Sequence, residues 1–548
     1  MFETRCGVYH RAALRADPLA TLLSMRPVEG GSEERDLEQA GPQMLRHWIE
    51  RAAARDPDKA FIVSADDGRT LSYGRLREAT RRIASYLRDR GIGRNDRVAL
   101  LSNNSIEHLL AYYGVMAYGA TVCTVHVEMN RNQLDNILPA LKPRMVLCEE
   151  GLGLDDILSA ASAPCLPLGG FDDARGDSFF AAVNRCEGGD ASAGNASADD
   201  SAVILFTSGT SARPKGVVLS FRELVSNAGP TADGFGMTAR DRIYDFRSFN
   251  WCSAQTLSAL PPLQCGATLI LGRKFSRSRF FEHVRQHGAT IATGNPTTIG
   301  LLLNGEAPLA APELPTLRFM TSSSAPLIVE EWRRFEERFG IRVSQGYGCS
   351  EIGWIAAHPG ERRRIGTVGR PLAYHRLAIV SAEGASLPAG EIGAVELGGL
   401  ADHCYRTLAD DGSIRVNERG RMKTGDLGFL DDEGYLHLTG RAKDVIIRGG
   451  VNISPVEIDS VLMQRPEVAE AATVGVPDRI YGEEVVAFVV LRPGAVLGAE
   501  DILRHCAAKL PAFKSPKRIV LSDALPKTER GKLDRKALVE LWGRNKGA

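Results

Sequence analysis

From residue 44 onward, apolar positions recur along this chain at two spacings that take turns. Leu45, Trp48, Ile49 and Ala52 fall on one face of a helix. Leu76, Ala79, Ile83, Ala84 and Leu87 repeat that spacing, and Gly91 stands where such a helix would stop. Residues 98–101 are then continuously apolar, as a strand covered on both faces requires. Residues 106–119 read as a helix and 120–125 as a further strand. Strands alternating with helices predict parallel sheets sandwiched by helices. Residues 169–177 and 187–200 are loop-like, and the second closes this first α/β unit. After Gly440 the pattern restarts. Ile458, Val461 and Leu462 are helically spaced, residues 471–476 and 485–491 read as strands, and 502–510 as a helix. This is a small α+β unit of about a hundred residues. No internal repeat or coiled-coil heptad is present.

A chain of 548 residues exceeds what one hydrophobic core organises. The expected partition is an N-terminal extension over 1–43, a large domain over 44–440, a hinge at 441–444 and a small domain over 445–548. The extension is rich in Arg, Glu and Gly; it reads as a mobile segment or as a start-site artefact, with Met25 and Met44 as alternative starts. Lysine plus arginine number 67, as do aspartate plus glutamate, so the net charge is zero. That balance argues against nucleic acid or an anionic membrane as partner. No apolar run approaches the roughly 20 residues that span a bilayer. Charges at Glu3, Arg5, Arg11, Arg15 and Asp17 are not followed by the apolar core of a secretory signal. Ten cysteines without CxxC pairs read as free thiols, and no zinc-ligand spacing is found. These features predict a cytoplasmic protein.

Chemistry concentrates in Phe206-Thr-Ser-Gly-Thr-Ser-Ala-Arg-Pro-Lys-Gly216, a polar loop between two apolar runs read as strands. Such a loop offers hydroxyls, backbone N–H groups and a lysine to one anion, and a triphosphate is the obvious guest. It is not the Walker pattern, because no Gly-Lys-[Ser/Thr] closes it.

The loop resembles the phosphate loop of the adenylate-forming superfamily, which comprises acyl-CoA synthetases, peptide-synthetase adenylation domains and beetle luciferases. Four further motifs follow in that superfamily's order: Gln345-Gly-Tyr-Gly-Cys-Ser-Glu351, Lys423-Thr-Gly-Asp426, Gly440-Arg-Ala-Lys-Asp444 with Gly449-Gly-Val-Asn-Ile-Ser-Pro455, and Pro526-Lys-Thr-Glu-Arg-Gly-Lys532. The resemblance covers residues 44–538. It implies an α/β fold: a large N-terminal domain of parallel-rich sheets covered by helices, and a small, mobile α+β C-terminal domain.

The resemblance also implies an AMP-forming acid–CoA ligase, with ATP, Mg²⁺ and coenzyme A as cofactors and a small carboxylic acid as substrate. The acid attacks the α-phosphorus of ATP and expels pyrophosphate; the acyl-adenylate then passes its acyl group to a thiol. Carried onto this chain, Thr207, Ser208, Gly209, Thr210 and Lys215 would cradle the phosphates. Glu351 with Thr210 would hold Mg²⁺. Ser324, Ala325, Pro326, Gly346, Tyr347 and Gly348 would line the adenine pocket, where serine stands in place of a usual glycine in the 323–326 segment. Asp426 would accept the ribose hydroxyls, with Arg441 beside it. Lys443 would be the hinge residue, Gly449 and Gly450 would let pantetheine pass, and Lys532 would be the catalytic lysine, with Thr207, Lys215 and Glu351 also counted as catalytic.

The segment with the Asn-Ile pair at 452–453 resembles the acyl-CoA synthetase version of its motif, which implies coenzyme A rather than a carrier protein as acceptor. A stand-alone enzyme that loads a carrier protein and a non-catalytic nucleotide-binding homologue are the alternatives. Asn250, Trp251, Asn295 and Thr297 are the expected acid contacts. They are too polar for a long-chain fatty acid and suggest a short, aromatic or polar one. Arg247 could pair with a second carboxylate on the substrate, but the expected reading is a solvated arginine.

Overall fold

The computed structural model describes residues 41–159, 163–207, 214–304, 313–358, 362–399, 405–416, 421–528 and 532–545. The extension up to residue 40, and Ser208, Gly209 and Thr210 of the phosphate loop, lie outside the described residues.

Two large sheets form the first domain. One runs in the order Ile414–Val416, Arg406–Leu408, Lys215–Ser220, Ser201–Thr207, Thr121–Val125, Arg97–Leu101, Met145–Cys148, Cys165–Pro167. Its last five strands are mutually parallel, and Lys215–Ser220 returns antiparallel to Ser201–Thr207. The other runs Val343–Gln345, Phe319–Ser322, Ile291–Ala292, Arg242–Asp245, Thr268–Leu271, Ala60–Ser64, Thr70–Ser72, and only Thr70–Ser72 is antiparallel. The predicted parallel-rich architecture is therefore present. The apolar runs at 98–101 and 120–125 are the central strands Arg97–Leu101 and Thr121–Val125, every residue of which except Arg97 is buried.

The helix predicted over 106–119 spans Ile106–Tyr118, and all its residues are buried. It lies between the two sheets and touches strands of both. That placement explains why its sequence is apolar almost all round, Glu107 and His108 being the exceptions. Ser105 caps it by accepting the His108 N–H at 3.0 Å, and Gly119, at φ 105°, ends it.

The second domain is a five-stranded sheet in which Val451–Ile453, Ile446–Arg448, Gly482–Leu491 and Val468–Asp478 are neighbours and Arg518–Leu521 pairs with Gly482–Leu491. Helices Pro455–Leu462 and Ala499–Lys509 cover one face and Arg535–Asn545 the other, each over its own apolar cluster. A short 3₁₀ turn, Ala442–Asp444, joins the domains. Both belong to one unit spanning residues 40–548. Among the described residues no helix is long and apolar enough to cross a membrane.

Candidate active site

Four loops leave the same edge of the seven-stranded sheet. Parallel strands Arg242–Asp245, Ile291–Ala292, Phe319–Ser322 and Val343–Gln345 all point their carboxyl ends one way. The segments that follow contain Asn250 and Trp251, Asn295 and Thr297, Ser324 to Pro326, and Gly346 to Glu351. Ligands of open α/β sheets bind at this edge. The fold thus assembles candidates that the sequence scatters over a hundred residues.

On the phosphate side, Thr207 ends one strand and Lys215 begins the next, directly opposite in the ladder. The Thr207 hydroxyl donates to the Lys215 carbonyl at 3.5 Å. Lys215 Nζ pairs with Glu351 Oε1 at 3.3 Å and lies 4.8 Å from the centre of the Tyr405 ring. Both charges are partly exposed, so the pair is weak and open to exchange for a ligand.

Where the sequence resemblance expects the nucleoside, the Tyr347 hydroxyl donates to Asp426 Oδ2 at 2.5 Å, and Arg441 Nε forms an ion pair with Asp426 Oδ1 at 3.0 Å. Burial, then the Asp426 carboxylate, pushes the Tyr347 phenol far above its ordinary range, so it stays a proton donor. Asp426 and Arg441 face each other across antiparallel strands Met422–Leu430 and Leu436–Arg441. Gly346 donates to the Ser322 carbonyl at 2.8 Å and the Gln345 side chain to the Ala325 carbonyl at 3.2 Å, which ties the two loops together. Ala325 is half-buried and Pro326 exposed. A Cβ on Gly348 would lie 2.5 Å from the Gly353 carbonyl oxygen, so only glycine fits. Ser324, the serine in place of glycine, has φ 73°, a left-handed conformation that costs a serine about 1 kcal/mol.

On the acid side the structure corrects one expectation. Arg247 is not solvated: its side chain is 4 % exposed, and it forms a two-pronged ion pair with the fully buried Asp245. Asp245 also accepts the Thr293 hydroxyl at 2.7 Å. Arg247 Nη1 is buried with no acceptor among the described residues, and Asn250 Oδ1 is buried with no donor among them. Asn250 donates to the Ser102 carbonyl at 2.9 Å. Trp251 stacks on His126, with ring centres 5.1 Å apart and planes 11° from parallel. Asn295 is spent as a cap: its Oδ1 accepts the Thr298 N–H at 2.8 Å. Thr297 is exposed at the start of the same helix. Burial pushes the Cys252 thiol up to about 12, so it acts as wall, not nucleophile.

Sequence reasoning missed what holds this wall. Asn104 donates to the carbonyls of Arg247 and Gly272 at 2.9 Å and accepts the Phe249 N–H at 2.9 Å. Gln255 donates to the Phe249 carbonyl at 2.7 Å. The Asp245–Arg247 pair left one readable signal. Residues two apart on an extended chain share a face, and opposite charges there invite pairing.

The small domain supplies exposed groups. Lys443 lies exposed in the 3₁₀ turn. Gly449 and Gly450 have φ of 58° and 82°, the pair of positive values that a two-residue hairpin turn requires between Ile446–Arg448 and Val451–Ile453. Lys532 is exposed on a turn in which Thr528 N donates to its carbonyl at 2.7 Å.

Residues 49–401 match the family described as AMP-binding enzyme, and residues 457–532 match the AMP-binding enzyme C-terminal domain. The chain belongs to the AMP-binding enzyme family. A sulfoacetate–CoA ligase of Cupriavidus necator is 32% identical over 508 residues, which cover 89% of this chain and 96% of that protein. An oxalate–CoA ligase of Arabidopsis thaliana is 31% identical over 527 residues, covering 90% and 98%. The ATP-bound structure of MatB from Rhodopseudomonas palustris superposes with a TM-score of 0.78 at 28% identity, covering 91% of this chain and 99% of that one.

In this AMP-binding enzyme the described residues contain no cluster of three or more acidic, histidine or cysteine side chains of the kind that cages a metal ion. The partly exposed Glu351 carboxylate beside Lys215 instead suits Mg²⁺ carried on a triphosphate, which takes one or two protein carboxylates and keeps its waters.

Proposed function

We propose that this chain, an AMP-forming acid–CoA ligase, activates a short acid bearing a second polar or anionic group. The carrying observation is the buried Arg247, whose Nη1 has no acceptor among the described residues. A buried donor without an acceptor costs about 1–3 kcal/mol. A carboxylate, sulfonate or hydroxyl at the far end of the substrate would satisfy it; a terminal methyl would not. The guanidinium charge is already paired with Asp245, so Nη1 offers a directed N–H rather than net charge. Sulfoacetate and oxalate, the acids in the names of two relatives, are both short and carry a second acidic group.

In the reading we favour, an oxygen of the acid bonds to the α-phosphorus of ATP while the bond to pyrophosphate breaks. Lys532 bridges the two anions, and Lys215 with Thr207 and the loop 208–210 offsets charge on the departing pyrophosphate. Glu351 and Thr210 would hold Mg²⁺, which supplies further charge neutralisation when bound. The segments 324–326 and 346–348 border the adenine, and Asp426 takes the ribose hydroxyls beside Arg441. The thiol sulfur of coenzyme A then bonds to the acyl carbon and AMP leaves with the shared oxygen. Gly449 and Gly450 line the thiol's approach, and Lys443 is the hinge. The acid lies between Asn250, Trp251, Asn295 and Thr297.

The test is pyrophosphate release with ATP and Mg²⁺ across acids of equal length that end in carboxylate, sulfonate, hydroxyl or methyl, each with and without coenzyme A. Turnover that needs coenzyme A and prefers the polar termini supports the proposal. Preference for methyl termini removes Arg247 from recognition, and release indifferent to coenzyme A assigns the acceptor role to a carrier protein.

A further inference from the structure

The seam between the domains holds charges that no step above uses. Asn304 ends helix Pro296–Asn304 of the large domain. Its Oδ1 accepts N–H groups from two arginines: Arg334, on the large domain's helix Val329–Phe339, and Arg492, just after the small domain's strand Gly482–Leu491. Arg492 Nε also donates to the Pro466 carbonyl at 2.8 Å, so its side chain is fixed from within its own domain. Glu331 stands one turn before Arg334. The charges that act on it are Arg334 from its own helix and Arg492, Glu470 and Lys527 from the small domain. Lys527 pairs with Glu470 at 2.9 Å. Ile328, the residue before the helix, packs on the small domain's apolar core.

This seam leads to Lys532. Lys527 bridges to Leu533 across the turn that carries Lys532. On the other side Arg535 is bonded to the buried Asp459 at 2.6 Å. Both ends of the turn are therefore fixed to the small domain. On the large-domain side, helix Val329–Phe339 begins three residues after Pro326, in a loop of the candidate site. Among the described residues, one path from site wall to Lys532 runs through this cluster. A single Asn304 oxygen thus takes two guanidinium groups, one from each domain, and links the two.

We propose that Asn304 and Arg492 are positioning residues that hold the Lys532 turn at the acid-activating site, so that losing them slows acyl-adenylate formation and spares thioester formation. The proposal rests on the reading of Lys532 given above. Burial raises the Glu331 carboxyl to about 7, and the charges that act on it come from both domains.

The test measures the two half-reactions separately in the full-length chain. Activation is followed by ATP–pyrophosphate exchange, and transfer by thioester formation from supplied acyl-adenylate and coenzyme A. Asn304 is exposed, so its replacement leaves the core intact. Asn304→Ala and Arg492→Ala are each expected to lower exchange roughly tenfold with transfer unchanged, and the double variant to fall no further. Asn304→Asp keeps the acceptor and is expected to restore exchange. Equal loss in both half-reactions, or none in either, overturns the proposal. Lys532→Ala separates the two readings. If exchange survives that change, the role of Lys532 fails and the seat fails with it. If Lys532→Ala abolishes exchange while the seat variants keep it, only the seat fails.

Discussion

At the sheet edge of the large domain, Asp245 is fully buried, Arg247 nearly so, and the loop above them is held by Asn104 and Gln255. In the small domain Lys532, Gly449 and Gly450 stand exposed on turns whose bases are fixed. The first region places its polar groups by enclosing them, so each is also part of the fold. The second presents them on short levers, so a tip can be altered without disturbing what lies beneath. On the proposed roles of Arg247 and Lys532, recognition of the acid and stability would be entangled in one domain, while chemistry and stability would be separable in the other.

The largest expected effect breaks the enclosed side. Asp245→Ala leaves the Arg247 charge unpaired in the interior and is expected to destabilise the large domain by about 3–5 kcal/mol, read from denaturant unfolding. An unchanged unfolding midpoint would show that water serves Arg247 equally well. Next is the lever. Lys532→Ala is expected to slow acyl-adenylate formation roughly 100- to 1000-fold with no shift in the unfolding midpoint. A matching loss of stability would end the contrast between the domains.

A smaller effect comes from Glu331. Its carboxyl is raised when seated, so the seated arrangement binds a proton. Seating is then favoured at low pH and weakens as pH rises through about 7. The ratio of activation to transfer rates is expected to fall roughly threefold to tenfold between pH 6 and 8, and to stay flat in Glu331→Gln. A slope that survives the substitution belongs to another group. The smallest effect is Ser324→Gly, which relieves the left-handed serine and is expected to stabilise by about 0.5–1 kcal/mol, read as a slightly higher thermal midpoint.

The elements were legible because their periodicity is strong. The runs read as helices at 76–87 and 106–119 are Tyr73–Asp89 and Ile106–Tyr118, and the apolar runs beside the phosphate loop are strands Ser201–Thr207 and Lys215–Ser220. What stayed hidden joins residues far apart in the chain. The Tyr347–Asp426 bond spans 79 positions, and the Asn304–Arg492 bond 188. No local pattern encodes either contact. Arg247 was misread because arginines are usually solvated; only its placement at the end of a buried strand, beside an aspartate two residues earlier, reverses that habit.

Asp426 carries a further consequence. Its two oxygens are already claimed, one by Tyr347 and the other by Arg441, the residue just before the interdomain turn. A sugar hydroxyl arriving at the Arg441-bound oxygen enters a competition for that oxygen. Whatever grip the guest gains is subtracted from the grip on Arg441, and by reciprocity a firmly held Arg441 loosens the guest. On the proposed reading of Asp426 as the ribose acceptor, one carboxylate would make occupancy of the nucleoside pocket and freedom of the interdomain joint two readings of the same equilibrium.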